Sequence, residues 1–420
     1  MNRYFFILGR NQALSLAESA AFFSREQMVF NPLYLGRDFL VWETENKIDL
    51  KALNNRLGGV IKAGEIWAER PKKPDLLADL SEALGFSTIS KFLPVGAEKL
   101  FLGFSLYFDE GKSFIYLQKG LERHFLSLKK EIKETGQKLR LVTSRGQTLS
   151  SVVVKKNKLL TAGAEIVIFV TPEKMFIGKT SSVQDFEGYS FRDFQRPGRD
   201  MRIGLMPPKV AQIMVNLAQA RESEVILDPF AGCGTILQEA ILLGYKNLVG
   251  SDNNPRALSQ TRQNLEWLCR NYKIDEKKIN VKLMPIDVRQ IYKDLSPNSV
   301  DTIVTEPYLG PALDDRPGEG KIRMVAANLS QLYLDFFTAI KRVLKPGGKI
   351  VMIWPVFRTP AGKQFLPILE KVLAKGFEKI NLIPEVFKAN DLEELTSRGS
   401  ILYSREDQNV LREIFVFKNV

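Results

Sequence analysis

The segment EVILDPFAGCGT, residues 224–235, decides the fold of the C-terminal half of this chain. Its apolar run predicts a buried strand that ends at Asp228. Gly232 and Gly234 then lie in a turn where the backbone can approach a ligand closely, and an apolar helix follows. A dinucleotide-binding loop has three glycines that cradle a pyrophosphate, whereas here the third is missing and Asp-Pro precedes the loop. The segment therefore argues against NAD and favours a cofactor without phosphate.

Helix and strand patterns alternate regularly on both sides of this segment. Helical patterns such as PKVAQIMVNLAQA and ILQEAILLGY alternate with the strand patterns NLVGSD, VKLMPIDV and VDTIVTEPY. Such alternation predicts an α/β fold, a doubly wound, Rossmann-like and mostly parallel sheet with helices on both faces. Further on, LKPGGKIVMIWP predicts a glycine turn followed by a fifth strand, and ILYSR with EIFVFKN predicts a final antiparallel hairpin.

Acidic residues follow three consecutive strand patterns. After Asp228, Asp252 ends NLVGSD, where a doubly wound sheet places the carboxylate that binds ribose hydroxyls. Asp287 follows VKLMPI, where a carboxylate can accept a hydrogen bond from an adenine amino group. Any one of these residues is also typical of a helix cap or a turn. The three in order predict one ligand site at the carboxyl edge of the sheet.

This combination of DPFAGCGT with Asp252 and Asp287 resembles the class I S-adenosylmethionine-dependent methyltransferases. The resemblance implies S-adenosylmethionine as the cofactor. It also implies a set of cofactor-binding residues around the loop and the next two strand ends. They are Asp228, Pro229, Phe230, Gly232, Gly234, Thr235, Asp252, Asn253, Asp287 and Val288.

The fourth strand pattern, VDTIVTEPYLGP at residues 300–311, carries the candidate catalytic residues. In the amino-methyltransferases that this chain resembles, the corresponding strand ends in Asp-Pro-Pro-Tyr or a close variant. The ungapped match puts Glu306 at the acidic position, Pro307 at the first proline, Tyr308 at the second proline and Leu309 at the aromatic position. Glutamate is one methylene longer than aspartate, and leucine cannot stack on a base as tyrosine does.

The chemistry of amino methylation explains why these residue types are wanted. The lone pair of an exocyclic amino nitrogen is delocalised into the base, so the nitrogen is a poor nucleophile. The Glu306 carboxylate and the Pro307 carbonyl can accept its two N–H bonds and stabilise developing positive charge. Tyr308 can stack on a base that has left its helix. An ordinary polar strand end is the alternative interpretation of Glu306-Pro307, and the segment 314–321, DDRPGEGK, is either a closing loop or a surface loop.

The charge of the chain favours a polyanionic partner. With 60 Lys and Arg against 48 Asp and Glu, the formal charge is +12. Between residues 112 and 158 there are twelve basic side chains and three glutamates, so this stretch contributes +9 of the total. A solvated helix face is the alternative interpretation. The candidate phosphate contacts are Lys129, Lys130, Arg140, Arg145, Lys155, Lys156 and Lys158.

The N-terminal half predicts two small α+β units before the catalytic one. YFFILGRNQALSLAE, LSSVVVKKNKLL and RPGRDMRIGLMPPKVAQIMVNLA are similar to stretches of the THUMP-domain tRNA guanine-N2 methyltransferases that act on guanosine 10. That resemblance covers essentially the full chain and implies a ferredoxin-like domain at 1–70 and an RNA-binding THUMP domain at 71–180. A linker at 181–206 and a methyltransferase domain at 207–420 complete the prediction. It implies N2 methylation of a guanosine in tRNA.

Several classes of protein are disfavoured by composition. Cys233, Cys269 and His124 are the only cysteines and histidine, so neither a disulfide framework nor a Cys/His metal site is expected. The apolar start is short and interrupted by Arg10, and no apolar run approaches about 18 residues, so neither secretion nor membrane spanning is expected. A reducing cytoplasm fits best.

Two other functions stay open at the level of sequence. A DNA amino-methyltransferase acting on N6 of adenine or N4 of cytosine would use the same acid-proline element. A retained but inactive methyltransferase fold in an RNA-binding protein is suggested by the altered residues 306–309. The modified nucleotide, the number of methyl groups, and the presence of an accessory subunit or a homo-oligomer are left open as well.

Overall fold

The computed structural model describes residues 1–109, 114–144, 146–199, 205–311, 318–387, 392–405 and 408–420, without the side chain of Phe114. Two compact units are formed, each from more than one stretch of chain. The first consists of Met1–Gln12, Met28–Arg56 and Val60–Asp185. The second consists of Ala13–Gln27, Leu57–Gly59 and Phe186–Val420.

The strands of the two units follow the alternation of apolar residues in the sequence. In the first half they are β1 (Asn2–Leu8), β2 (Asn31–Leu35), β3 (Phe39–Thr44), β4 (Val60–Pro71), β5 (Lys99–Phe108), β6 (Lys138–Val142), β7 (Gly163–Val170) and β8 (Lys174–Val183). In the second half they are β9 (Val225–Asp228), β10 (Asn247–Ser251), β11 (Asn280–Met284), β12 (Val300–Thr305), β13 (Leu344–Thr359), β14 (Gly362–Gln364), β15 (Phe377–Lys379), β16 (Ile401–Tyr403) and β17 (Val410–Asn419).

The helices lie between these strands. They are α1 (Gln12–Arg25), α2 (Leu50–Arg56), α3 (Leu76–Ala83), α4 (Phe86–Ile89), α5 (Phe114–Glu134), α6 (Ser151–Lys156), α7 (Phe186–Phe194), α8 (Pro208–Leu217), α9 (Thr235–Leu242), α10 (Pro255–Tyr272), α11 (Glu319–Ile340) and α12 (Leu369–Leu373). Short 3₁₀ helices cover Ser90–Phe92, Glu276–Lys278, Val288–Lys293 and Glu385–Phe387.

The first unit is built on one mixed sheet of eight strands among the described residues. Its order is β2-β3-β1-β4-β8-β7-β5-β6, in which β5 is parallel to both β6 and β7 and the other pairs are antiparallel. The domain boundary expected near residue 70 falls at the end of β4, which pairs with β8 in this same sheet. The three-part division of the N-terminal half and linker stays a prediction.

The second unit contains the doubly wound sheet that the sequence predicts. In the described part of the chain the strand order is β11-β10-β9-β12-β13-β17-β15. Strands β9 to β13 pair in parallel, whereas β17 inserts between β13 and β15 and is antiparallel to both. The expected hairpin also forms, because β16 pairs antiparallel with β17. The carboxyl ends of β9, β10 and β12 therefore meet at one edge of the sheet.

An apolar cluster between the sheet and α11 fixes the position of that edge. Trp354 on β13 and Phe336 and Phe337 on α11 are buried, and Phe415 and Phe417 on β17 pack on Trp354. Burial of these apolar side chains holds the sheet against α11. Strand β12 pairs with β9 on one edge and with β13 on the other. The end of β12 is thus a rigid place for functional side chains.

Part of the segment predicted as a linker, within its described residues, forms a helix. Helix α7 lies within it, and Arg192 of that helix donates to both oxygens of Glu239 on α9 at 2.7 and 3.1 Å. The sequence did not indicate this helix, because Gly, Pro, Arg and Asp dominate the segment and Arg192 is the buried residue of the helix. A buried ion pair, which the periodicity of apolar residues cannot reveal, holds the helix to the rest of the second unit.

Helix α1 belongs to the second unit although it comes early in the chain. Its Glu18 is buried and accepts hydrogen bonds from the backbone N–H groups of Gly58 and Gly59 and from the Asn216 side chain on α8. Burial raises the pKa of Glu18 to about 7, although these three hydrogen bonds act in the opposite direction. Contacts between residues far apart in sequence therefore complete the second unit.

Candidate active site

A cavity of about 680 Å³ opens at the carboxyl edge of the second sheet. Most of the predicted site residues line it. They are Asp228, Pro229, Phe230, Gly232, Thr235, Asp252, Asn253, Asp287, Val288, Glu306, Pro307 and Tyr308. Residues that were predicted to lie at the ends of separate strands thus line the same cavity. Among the predicted cofactor residues, Gly234 is absent from this lining.

Gly234 has a backbone conformation that shapes the loop before α9. It adopts φ +79° as the residue before α9, and a Cβ there would lie 2.7 Å from Cγ2 of Thr261. Gly232 also has positive φ, at +52°, and its carbonyl accepts from the Thr261 hydroxyl at 2.8 Å. Gly234 thus lets the chain turn into α9, and its direct contact with the cofactor stays a prediction.

Asp228 ends β9 with its side chain buried. Its Oδ1 accepts from the Phe230 backbone N–H at 3.2 Å and from the Thr305 hydroxyl, at the end of β12, at 2.8 Å. Burial raises the pKa of Asp228 to about 7, and the nearby charges of Asp252 and Glu306 add to the rise. The carboxyl group thus sits where a cation would favour its ionised form.

Asp252, directly after β10, is held with both oxygens oriented. Oδ2 accepts from the Gly232 backbone N–H at 3.0 Å and Oδ1 accepts from the Asn254 backbone N–H at 2.9 Å. Each carboxylate oxygen has a second lone pair, so both can still accept from a diol in the cavity. The predicted ribose-binding role fits this geometry.

Asp287 lies three residues beyond the end of β11 and not at the strand end itself. Its oxygens accept from Nε of Arg289 at 2.9 Å and from a terminal guanidinium nitrogen of the same residue at 2.6 Å. The hydrogen bonds from Arg289 hold the pKa of Asp287 below its usual range. The arginine, which the sequence did not single out, also lines the cavity beside this predicted adenine acceptor.

Glu306, directly after β12, is paired with an arginine from a distant strand. Nε of Arg412 on β17 donates to Oε1 of Glu306 at 2.5 Å, and both side chains are largely buried, at 8% and 13% exposure. Burial alone would lower the pKa of Arg412, but the charge and hydrogen bond of Glu306 raise it above its ordinary value. The acidic residue is thereby fixed at the cavity wall.

The next residues present an aromatic ring to the cavity mouth. Tyr308 is 51% exposed, and its carbonyl accepts from the hydroxyl of buried Tyr333 on α11 at 3.0 Å. Leu309, at the position where the resembling enzymes carry an aromatic residue, also lines the cavity. Tyr308 is therefore the exposed aromatic side chain of this motif.

The basic residues predicted to contact phosphate lie in the first unit. Lys129 and Lys130 are on α5, Arg140 is on β6, and Lys155, Lys156 and Lys158 are on or just after α6. All six side chains are exposed, as phosphate contacts require. Arg145 lies outside the described residues, as do residues 314–317, the first half of the candidate closing loop at 314–321.

Comparison with known proteins identifies a family model and several sequence relatives that this chain matches. Residues 196–361 match the family model UPF0020, described as an RMKL-like methyltransferase domain. The tRNA (guanine(10)-N2)-dimethyltransferase of Methanocaldococcus jannaschii is 30% identical over 248 residues, which are 59% of this chain and 63% of that protein. A "probable tRNA (guanine(10)-N2)-dimethyltransferase" of Methanothermococcus thermolithotrophicus is 33% identical over 125 residues, 30% of this chain and 72% of that protein. The chain belongs to the tRNA (guanine-N2)-methyltransferase family.

A solved structure supports the fold of the family over the whole chain. TrmN from Thermus thermophilus aligns over the full length of both chains with a TM-score of 0.56 and 15% identity. This likeness confirms the α/β fold with a Rossmann-like methyltransferase domain. The chain spans about three fifths of the length of the first sequence relative named above.

Methyltransferases of this class take S-adenosylmethionine, and the cavity fits that cofactor. Its volume lies within the range of about 300–1,000 Å³ that is usual for ligand sites. Asp252 offers oriented acceptors for a ribose diol, and Asp228 offers a carboxyl group for the cationic methionine portion. Both carboxylates lie beside the glycine loop. Their negative charges would repel a phosphate group, which agrees with a cofactor that lacks phosphate.

The affinity for S-adenosylmethionine is expected to rise about three- to tenfold between about pH 6 and pH 8. The pKa of Asp228 is raised to about 7, so the carboxyl group becomes ionised over this interval, and the cationic cofactor favours the ionised form. Calorimetric titration at several pH values measures the effect. The Asp228→Asn variant is the control, since it retains the titration of the cofactor's own amino group. Identical pH profiles for the two proteins would contradict the prediction.

Three structural features of the site were missed by the sequence. Arg412 and Arg289 pair with predicted carboxylates, and Asn328, Gln331 and Asp335 line the cavity from α11. The one usable signal was the charged pair Arg412-Glu413 within the apolar strand LREIFVF. A charged residue in a buried strand indicates a partner but does not say which one.

In the described ranges, no group of three or more His, Cys, Asp or Glu side chains is arranged to hold a metal ion. The same residues contain no helix of the length and apolar character needed to cross a membrane. Cys233 and Cys269 are both free thiols.

Proposed function

We propose that the chain transfers a methyl group from S-adenosylmethionine to the exocyclic N2 amino group of a guanosine in tRNA. The observation that carries the proposal is the convergence of Glu306, Pro307 and Tyr308 with Asp228 and Asp252 on one cavity. The carboxylates near the glycine loop suit the cofactor, and the motif after β12 suits an amino group. The names of the sequence relatives support guanine in tRNA as the target.

The residues after β12 would activate the amino group by accepting its hydrogen bonds. When bound, S-adenosylmethionine supplies an electrophilic methyl group on a sulfonium centre. The Glu306 carboxylate accepts one N–H of the target and the Pro307 carbonyl accepts the other, which directs the nitrogen lone pair toward the methyl group. Glu306 is also placed to take the proton that the nitrogen loses once the new bond has formed. Tyr308 stacks on the extruded base.

Binding of the cofactor would depend on the residues predicted from the glycine loop and the neighbouring strand ends. Asp252 holds the ribose hydroxyls, while Asp287, held by Arg289, accepts from the adenine amino group. Pro229, Phe230, Thr235, Asn253 and Val288 supply the remaining wall of that part of the cavity. The proposal includes no metal ion in the reaction and a cytoplasmic location.

The first unit would hold the RNA through its basic surface, consistent with the resemblance to THUMP domains. Exposed lysines and arginine on α5, β6 and α6 suit phosphate contacts, which give affinity and register without reading sequence. Arg145 is part of this proposal through its place in the sequence. The tRNA end would be bound there, and the target base would be selected by its distance from that end.

Transfer of labelled methyl groups to unmodified tRNA transcripts, followed by mass identification of the nucleoside, tests the proposed function. N2-methylguanosine or its dimethyl form is the expected product. Label in duplex DNA and not in RNA would establish the DNA amino-methyltransferase instead. Cofactor binding without label in either nucleic acid would favour the inactive RNA-binding protein or an enzyme that needs an accessory subunit.

Replacing Lys129 and Lys130 together by Ala is expected to weaken tRNA binding about tenfold and to reduce the salt slope of binding by about 2. Both side chains are exposed on α5, so the loss would come from phosphate contacts and not from packing. Filter binding at several salt concentrations measures both quantities. The matched control is the exposed pair Lys277 and Lys278 in the second unit. Equal losses for the two pairs would show that only total charge matters.

A further inference from the structure

The pair formed by Glu306 and Arg412 joins two strands that are separated in the sheet. Glu306 follows β12, Arg412 lies on β17 opposite Pro355, and β13 runs between the two strands. The residues are 106 positions apart in the chain, yet Nε of Arg412 lies 2.5 Å from Oε1 of Glu306. The antiparallel insertion of β17 is thus what brings an arginine to the end of β12.

The ion pair has two physical effects on Glu306: it restricts the rotation of the side chain and it offsets repulsion from a neighbouring acid. The extra methylene of glutamate adds a rotatable bond, so its carboxylate has more positions to choose from than that of an aspartate. In addition, Glu306 is close enough to Asp228 for its charge to raise the pKa of that residue. A guanidinium on Oε1 removes the rotational freedom and offsets the repulsion between the two acids.

We propose that Arg412 is a positioning residue that sets the Glu306 carboxylate for the target amino group, an inference that rests on the proposed function. Within the described part of the chain, Arg412 is the hydrogen-bond partner of this carboxylate and takes Oε1. Oε2 is then the oxygen that accepts the target N–H. The glutamate and the arginine together do the work that a shorter aspartate does alone in the resembling enzymes.

The backbone at Tyr308, two residues after Glu306, is held by a contact that does not involve Arg412. The Tyr333 hydroxyl on α11 holds the carbonyl of Tyr308 at 3.0 Å, so the backbone after β12 does not rely on the arginine. Arg412 contacts the motif through the Glu306 side chain. Its removal is therefore expected to misplace one carboxylate and to leave the cofactor side of the cavity intact.

Kinetic measurements on a set of variants separate positioning from general support of the fold. Arg412→Met is expected to lower kcat about 10- to 100-fold, as a misplacement near 1 Å does, with the Kd for S-adenosylmethionine unchanged within about twofold. Arg412→Lys keeps the charge and should recover part of the loss. In a Glu306→Gln background, Arg412→Met should lower kcat by less than about a further threefold, because the carboxylate that Arg412 positions is already absent. Equal losses in both backgrounds would overturn the proposal.

The shorter acid provides a second arm of the same experiment. Glu306→Asp removes the methylene that the arginine has to control, so Arg412→Met should be less harmful in that background than in the wild type. Lys418→Met is the matched control, because Lys418 is exposed on the same strand and does not line the cavity. If that control lowered kcat as much as Arg412→Met, the effect would belong to the strand and the assignment would be wrong.

A crystal structure of the Arg412→Met protein, or of Arg412→Lys if the first does not fold, makes the test independent of turnover. The expected result is a displaced or disordered Glu306 carboxylate with Asp252 and the glycine loop unchanged. A Glu306 carboxylate that keeps its place overturns the inference even if the variant has lost activity. Absence of methyl transfer by the wild-type protein would instead count against the proposed function of the isolated chain, and the crystal structure would still decide whether Arg412 positions Glu306.

Discussion

Glu306→Gln is expected to lower the rate of methyl transfer about 100- to 1,000-fold while the Kd for S-adenosylmethionine stays within about twofold. The reason lies in the hydrogen-bond geometry. Nε of Arg412 needs an acceptor, so the amide oxygen of the glutamine takes the place of Oε1. The NH₂ group is then turned toward the target amino group, and a donor faces a donor. Single-turnover rates at saturating cofactor, with calorimetric affinities, measure the two quantities separately.

The matched control for this substitution is Glu319→Gln. Glu319 is an exposed acid at the start of α11, pairs with Arg323 at 3.0 Å, and does not line the cavity. Its replacement should change neither rate nor affinity by more than about twofold, because exposed pairs contribute little. Turnover retained by Glu306→Gln would remove Glu306 from the mechanism, whatever the control shows.

Asp252→Ala is expected to weaken S-adenosylmethionine binding about 100-fold. Both oxygens of Asp252 are oriented by backbone N–H groups and can accept from the ribose hydroxyls, and a hydrogen bond to a charged group contributes about 1.5–3 kcal/mol. The substitution also frees the Gly232 N–H, which loosens the glycine loop. Calorimetric titration gives the affinity, and thermal unfolding of the cofactor-free protein shows whether the fold is affected.

Asp275→Ala is the control for this second prediction. Asp275 accepts from the backbone N–H two residues ahead, Lys277, just as Asp252 accepts from Asn254, but it is not part of the cavity. The control removes the same local turn without touching the cofactor site. An unchanged affinity in Asp252→Ala, or equal losses in the two variants, would count against the proposed ribose-binding role.

Local patterns in the sequence predicted the glycine turn and the strand end that line one side of the cavity. The turn at Gly232, the strand end at Asp228 and the position of Asp252 follow from residues close together in the chain, so a strand-turn-helix pattern was enough. The parallel order of β9 to β13 followed from the alternation of helices and strands. These features depend on backbone preferences that each short segment already carries.

Side-chain partners from distant parts of the chain could not be predicted. Nothing near Glu306 in the sequence indicates Arg412, because their meeting depends on the insertion of β17 beside β13. Asp287 was expected at a strand end, but it lies beyond it and is held by Arg289. Helix α7 was hidden in a polar segment because its buried ion pair, and not a long apolar face, holds it in place.

The early position of α1 in the chain has a consequence for how the protein acquires its structure during synthesis. Glu18 leaves the ribosome almost 200 residues before Asn216, its hydrogen-bond partner on α8. Until α8 emerges, the native hydrogen-bond donors shown for Glu18 are reduced to the backbone N–H groups of Gly58 and Gly59, so the environment of this buried carboxyl group is completed late. A fragment that begins at α7 would lack Glu18, so the buried amide of Asn216 would lose this acceptor and the fragment should be less stable than the full chain.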